Sequence, residues 1–418
     1  MSYHDPYKHI KYLRQSLSQD KKPMGFFISA GCPLSVSMPN GQWPLIPDVE
    51  RLTKHIHLEL KSKDGEVKNK YDLLLDELSK AKKNVNNIED ILSFIRGLKE
   101  VSFGNTVRGF SEDDLIELEK NICAKIVIKI DVALPDNQSP YHKIATWISS
   151  IDRERPVEVF TTNYDLLIEQ AFEEISVPYF DGFVGSRQSF FDLRALEDNL
   201  IPKHWTRLWK IHGSINWFQK TNREVFRSSQ TKEVGASYLI YPSHLKYEQS
   251  RKMPYLALID QLNRFLRQTS SLLIISGYSF NDFHLNDTVL NALKGNPTTM
   301  VIALLFDTFM VKNEEGNSVY RYPHAVKLAA KRSNLALWCY DEAMIGTVQG
   351  KWKIMKDVDE EENLGGCIVT LSEKKKNPDG SDSDEDIIKH QLQLGNFAKL
   401  GDFLQALTGY NLTAEDER

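Results

Sequence analysis

Leu272-Leu273-Ile274-Ile275-Ser276-Gly277 is a run of branched apolar residues that stops on a small-residue turn. A continuous apolar run between turn signals suits a strand covered on both faces, as in a parallel sheet. The same design recurs at Met24–Ile28, Val157–Phe160, Trp209–Ile211, Met300–Phe306 and Ala336–Tyr340. Helical patterns lie between many of these runs. Strands alternating with helices predict an α/β protein with a Rossmann-like, doubly wound parallel sheet.

Between the first two runs the sequence reads as helical, over about 49–151. Leu118, Ile122, Ile126 and Ile130 recur every four residues, which places them along one helix face. Ser111, followed by Glu112, Asp113 and Asp114, has the design of a helix N-terminus, and Asn87-Ile88-Glu89-Asp90 offers a second. Such apolar stripes serve core packing or an oligomer interface. The expected organisation is one domain over 1–340, with the helical insertion at about 49–151, and a C-terminal extension over 341–418. Within the extension, the charged and turn-rich stretch at about 372–386 predicts a disordered loop. One or two helices are expected over about 386–410.

Composition bounds the function. Of 418 residues, 41% are hydrophobic, enough for a large core, and the formal net charge is −5. That balance leaves no basic excess to hold a phosphate backbone, so no direct nucleic-acid partner is expected. Cys32, Cys123, Cys339 and Cys367 lie far apart without a C-x-x-C pair, which argues against a zinc ribbon. No apolar run approaches the roughly 18 residues that span a bilayer, and the start lacks a signal-peptide design. The expectation is a soluble, cytoplasmic protein with no metal and no membrane partner.

Chemistry gathers where the predicted strands end. After Ile28 come Ser29, Ala30, Gly31, Cys32 and Pro33, small residues that let main-chain N–H groups approach a phosphate or simply make a tight turn. Thr161, Thr162, Asn163, Tyr164 and Asp165 follow the second run; in an open α/β sheet they would face the ligand crevice, and as Asn/Asp types they would equally cap a helix. His212-Gly213-Ser214 follows the third, where a neutral imidazole either accepts a proton or packs as a turn residue. Gly277, Tyr278, Ser279 and Phe280 follow Leu272–Ser276. Asp307 ends the next run, where a carboxylate can hold a ribose diol, although many strands end in Asp.

Taken in order, Ala30-Gly31, Thr161-Thr162-Asn163-Tyr164-Asp165, Lys210-Ile211-His212-Gly213-Ser214 and Gly277-Tyr278-Ser279-Phe280 resemble the sirtuin-like fold. More narrowly, they resemble the bacterial sirtuin-like NAD hydrolases of antiphage defence, including those that work beside a HerA-type ATPase. The resemblance covers roughly residues 24–340. It implies a cytoplasmic NAD glycohydrolase that cleaves NAD, its substrate, to nicotinamide and ADP-ribose, gated by assembly as a homo-oligomer or by a HerA-type partner. It also implies roles: Asn163 for ribose and the attacking water, and His212 as general base. By the resemblance, Ala30, Gly31, Asp165, Gly277, Tyr278 and Ser279 would bind the dinucleotide; Thr162 and Asp307, at their strand ends, are expected to join them. Ser29 stands where the family has a glycine and Pro33 where it has a serine, which implies weak or partner-dependent NAD binding. The absence of a cysteine quartet disfavours lysine deacetylation. The alternative reading is a nucleotide-binding sensor or scaffold without turnover.

Overall fold

The computed structural model describes residues 2–39, 41–63, 65–135, 138–220, 222, 224–231, 236–240, 254–355, 363–376 and 382–409. Its centre is a ten-stranded sheet. Met24–Ile28 runs between Leu272–Ser276 on one side and Val157–Thr161 on the other, all parallel. Outward from these lie Met300–Leu304 and Leu335–Trp338 on one flank, Thr206–Lys210 and Tyr179–Phe180 on the other. The fold class is the doubly wound, Rossmann-type sheet that the apolar runs predict.

Both faces of this sheet are covered, which explains why its strands read as unbroken apolar runs. Phe26, Ile28, Leu272 and Ile274 point into one core with the helices of the insertion. Phe27, Leu273 and Ile275 point into the other, against Tyr255–Leu266 and Phe283–Gly295.

Helices fill the stretch after the first sheet strand: Val49–Leu60, Lys70–Lys80, Ile88–Val101, Glu112–Ile130 and Pro140–Ser149. Their starts are chemically specified. Ser111 and Asp114 form a reciprocal capping box, and the Asn87 side chain accepts the Glu89 N–H. Leu118, Ile122, Ile126 and Ile130 are all buried.

Four features depart from the sequence expectation. A second, five-stranded sheet is built from residues 183–240, with Gly213–Gln219 at its heart. That strand is buried on nearly every residue, so the alternation that marks a half-exposed strand is missing. The main sheet also continues past Tyr340, through Glu342–Ile345 and Val348–Trp352, joined by a turn with positive φ at Gly346 and Thr347. Third, much of the expected disordered loop at about 372–386 lies in paired strands, Ile368–Lys376 and Asp382–Leu392; residues 377–381 lie outside the described residues. Composition misled here because the opposite charges sit on facing strands, Lys374 with Asp386 and Lys389 with Glu373. The helical reading of about 386–410 holds only for Phe397–Leu407.

Among the described residues, no helix is long and apolar enough to cross a membrane.

Candidate active site

The parallel strands deliver their carboxyl ends to one level. Ile28 pairs with both Ser276 and Thr161, and Thr161 with Lys210. Beyond that level the chain order reverses between Met24–Ile28 and Leu272–Ser276, the topological switch point at which open α/β sheets open a ligand crevice. A cavity of about 320 Å³ lies there. Ala30, Thr162, Asn163, Asp165, His212, Tyr278 and Ser279 all line it.

Gly31 and Gly277 do not line the cavity; they bring its two loops together. The Gly31 N–H donates to the Gly277 carbonyl at 2.9 Å. Gly277 has φ of +69°, and a Cβ there would stand 2.6 Å from the Cys32 nitrogen and 2.9 Å from the Ser29 oxygen. Only glycine fits such a crossing. Asp307 is also absent from the wall, and its carboxylate pairs with Arg321 at 2.8 Å.

The Thr161–Asp165 loop divides its work. The Asp165 carboxylate, not the Asn163 amide, accepts the Leu167 N–H at the start of Leu167–Glu174, at 3.1 Å. Asn163 is therefore not that helix's cap. Its main-chain N–H donates to the Thr161 hydroxyl at 3.0 Å, and its amide reaches the Ser29 carbonyl at 3.4 Å. The Ser29 and Thr162 hydroxyls meet at 2.7 Å, so Ser29 ties the first loop to the second.

Behind the loop, fully buried Lys210 donates to the Glu169 carboxylate at 2.7 Å and to the Asp165 carbonyl. Burial pushes the Asp165 and Glu169 carboxyls up from their ordinary values, with the Lys210 charge opposing the shift. One cation thus offsets the burial of two enclosed carboxyls behind the loop.

Two carboxylates beyond those expected from sequence stand in the wall. Asp282 lies next to His212, with Nε2 and Oδ2 3.4 Å apart. Glu89 comes from the insertion, together with Asn87, Val49, Leu52 and Ile130, and its carboxylate meets the Tyr164 hydroxyl. Asp282 was within reach of sequence reasoning, since it follows Gly277–Phe280 by two residues. Glu89 carried no such signal, because only tertiary packing lays the insertion over the sheet ends. Among the described residues, no lysine or arginine lines the cavity, and no group of three or more His, Cys, Asp or Glu side chains gathers to hold a metal.

No curated protein matches the chain. Solved structures that align with it include one described as the structural basis for the mechanism and regulation of Sir2 enzymes. It is 14% identical, with 71% of this chain and 85% of the other covered and a TM-score of 0.31. A Sir2–p53 peptide–NAD+ structure aligns at 12% identity over 70% and 85% of the two chains, TM-score 0.29. The stretch that carries Asn163, His212 and Gly277–Ser279, residues 157–323, matches the SIR2-like domain.

Proposed function

We propose that this chain is an NAD glycohydrolase, cleaving NAD to nicotinamide and ADP-ribose. The observation that carries the reading is the convergence of Asn163 and His212, 49 positions apart in sequence, on one cavity at the switch point of the sheet. The SIR2-like match over 157–323 supports NAD-dependent activity in general.

The residues present suit the substrate in part. Ala30 is exposed at the mouth of the first loop, so main-chain atoms there can approach the diphosphate. Tyr278 and Ser279 can flank the adenosine half, and Asn163 the ribose. The bond to the ring breaks with its electron pair passing to the ring nitrogen, which leaves as neutral nicotinamide. The ribose carbon, now oxocarbenium-like, takes up water, and the water's proton passes to His212. Holding that cation and positioning water are the protein's tasks.

Among the described residues, the wall offers no lysine or arginine to the diphosphate. This favours gating: a second copy or a HerA-type ATPase partner would complete the site, as antiphage defence requires of an enzyme that otherwise depletes its own cell. The same observation favours the second reading, a sensor that binds nucleotide without turnover. Incubating the chain with NAD, alone and with a HerA-type ATPase, and measuring nicotinamide and ADP-ribose separates the two. Release of both products supports the hydrolase; none under either condition favours the sensor. Acetylated ADP-ribose on adding an acetyl-lysine peptide would reveal a deacetylase instead.

A further inference from the structure

The Asp282 carboxylate does two jobs with two oxygens. Oδ1 accepts the N–H groups of His284 and Leu285, at 3.1 and 3.2 Å, and so caps Phe283–Gly295. Oδ2 faces Nε2 of His212 at 3.4 Å, and both side chains are nearly buried. The cap alone explains the first oxygen. It does not explain why the second is aimed at His212, the one imidazole in the cavity wall among the described residues.

The loop that delivers Asp282 is built with unusual care. Phe280 holds φ of +60°, a left-handed conformation that costs a bulky residue about 1–3 kcal/mol. Buried Asn286 donates to the Phe280 carbonyl at 2.7 Å and accepts from the Tyr278 hydroxyl at 3.0 Å. That hydroxyl also lies 3.2 Å from the Asp282 carbonyl. These bonds over-determine the strained turn and fix where Asp282 stands.

We propose that Asp282 is the positioning residue for His212: it orients the ring and holds the charge that the ring gains on taking a proton from water. With Nε2–H directed at Oδ2, Nδ1 is the nitrogen that accepts the proton, and the resulting imidazolium rests beside a carboxylate. A spacing of 3.4 Å without substrate is compatible with this, since catalytic hydrogen bonds tighten in the reacting complex. Among the described residues, Tyr164 lies beside the ring, with centres 6.4 Å apart, and the carboxylates Asp165 and Glu89 share the cavity wall.

The assignment of His212 as base rests on the hydrolase reading, so the test has one arm without NAD. Asp282→Asn keeps a helix-capping oxygen and removes the charge. The ring nitrogens of His212 are followed by NMR on the full chain, with His212→Gln to identify them. Expected is that His212 loses its proton at lower pH in Asp282→Asn than in the wild type, with thermal midpoints alike. In the second arm, kcat for nicotinamide release should fall about tenfold or more while KM stays within about twofold. Asp282→Glu, which keeps the charge, should recover part of the loss. An unchanged His212 titration overturns the proposal, as does an unchanged kcat in a hydrolysing protein. If the titration moves but neither wild type nor any variant cleaves NAD, alone or with a HerA-type ATPase, the pair stands and the hydrolase reading fails.

Discussion

At the residue scale, the candidate site depends on which groups share a turn. Gly277 shows this most simply. Gly277→Ala would place a methyl against the Cys32 nitrogen and the Ser29 oxygen at a φ that disfavours side chains, so the two strand-end loops must part. The variant should lose about 1–2 kcal/mol or more in denaturant unfolding and should lose nicotinamide release disproportionately. The sequence reading placed a glycine there for close ligand approach. The closeness is real, but the partner is another loop, which no single-strand pattern reveals. Asn163, His212, Thr162 and Tyr278 were legible because each follows an apolar run, and parallel strands deliver such residues to one edge. Asp307 follows an apolar run too, yet lies outside the cavity wall, because a strand end alone does not set which way the chain turns next.

At the element scale, the insertion and the sheet edges carry most of what the sequence left open. The reach of Glu89 from the first turn of Ile88–Val101 into the cavity depends on that helix's start. If the insertion shapes substrate binding, Glu89→Gln should raise KM for NAD several-fold while unfolding stays unchanged. The C-terminal hairpin gives a second case. Its outer half carries exposed Ile387 and Ile388, whereas its base buries Cys367, Ile368 and Leu392. Replacing 374–386 by a short turn should scarcely alter the thermal midpoint, while Leu392→Ala should cost about 2–5 kcal/mol. The N-terminal helix Pro6–Leu17 adds a pH signature. Its His9 packs edge-on to Trp338 and Trp352, and burial, with the nearby His4 and Lys8 charges, holds its pKa down to about 4. The folded value lies below the unfolded value, so its stabilising contribution is complete above about pH 6.5 and is lost as pH falls towards 4. Thermal midpoints of the wild type should therefore decline over that window more steeply than those of His9→Asn.

At the scale of the whole molecule, the sheet fixes where the cavity lies and the insertion roofs it. Leu58, Val101, Phe103 and Ile128 are exposed on or beside the insertion helices. Exposed apolar side chains on a module that also lines the cavity offer an association surface. The chain should therefore form a homo-oligomer, and light scattering should report a mass well above the 48.0 kDa of one copy at micromolar protein. The central claim is that Asn163 and His212 together break the nicotinamide–ribose bond, and Asn163→Asp tests it most directly. An aspartate matches asparagine in size and loop-forming habit but lacks the amide donors and brings a negative charge. Nicotinamide release from NAD should fall about 10²-fold or more in Asn163→Asp, as in His212→Ala, with both variants folded and of wild-type mass. A folded Asn163→Asp protein that releases nicotinamide at the wild-type rate would contradict it.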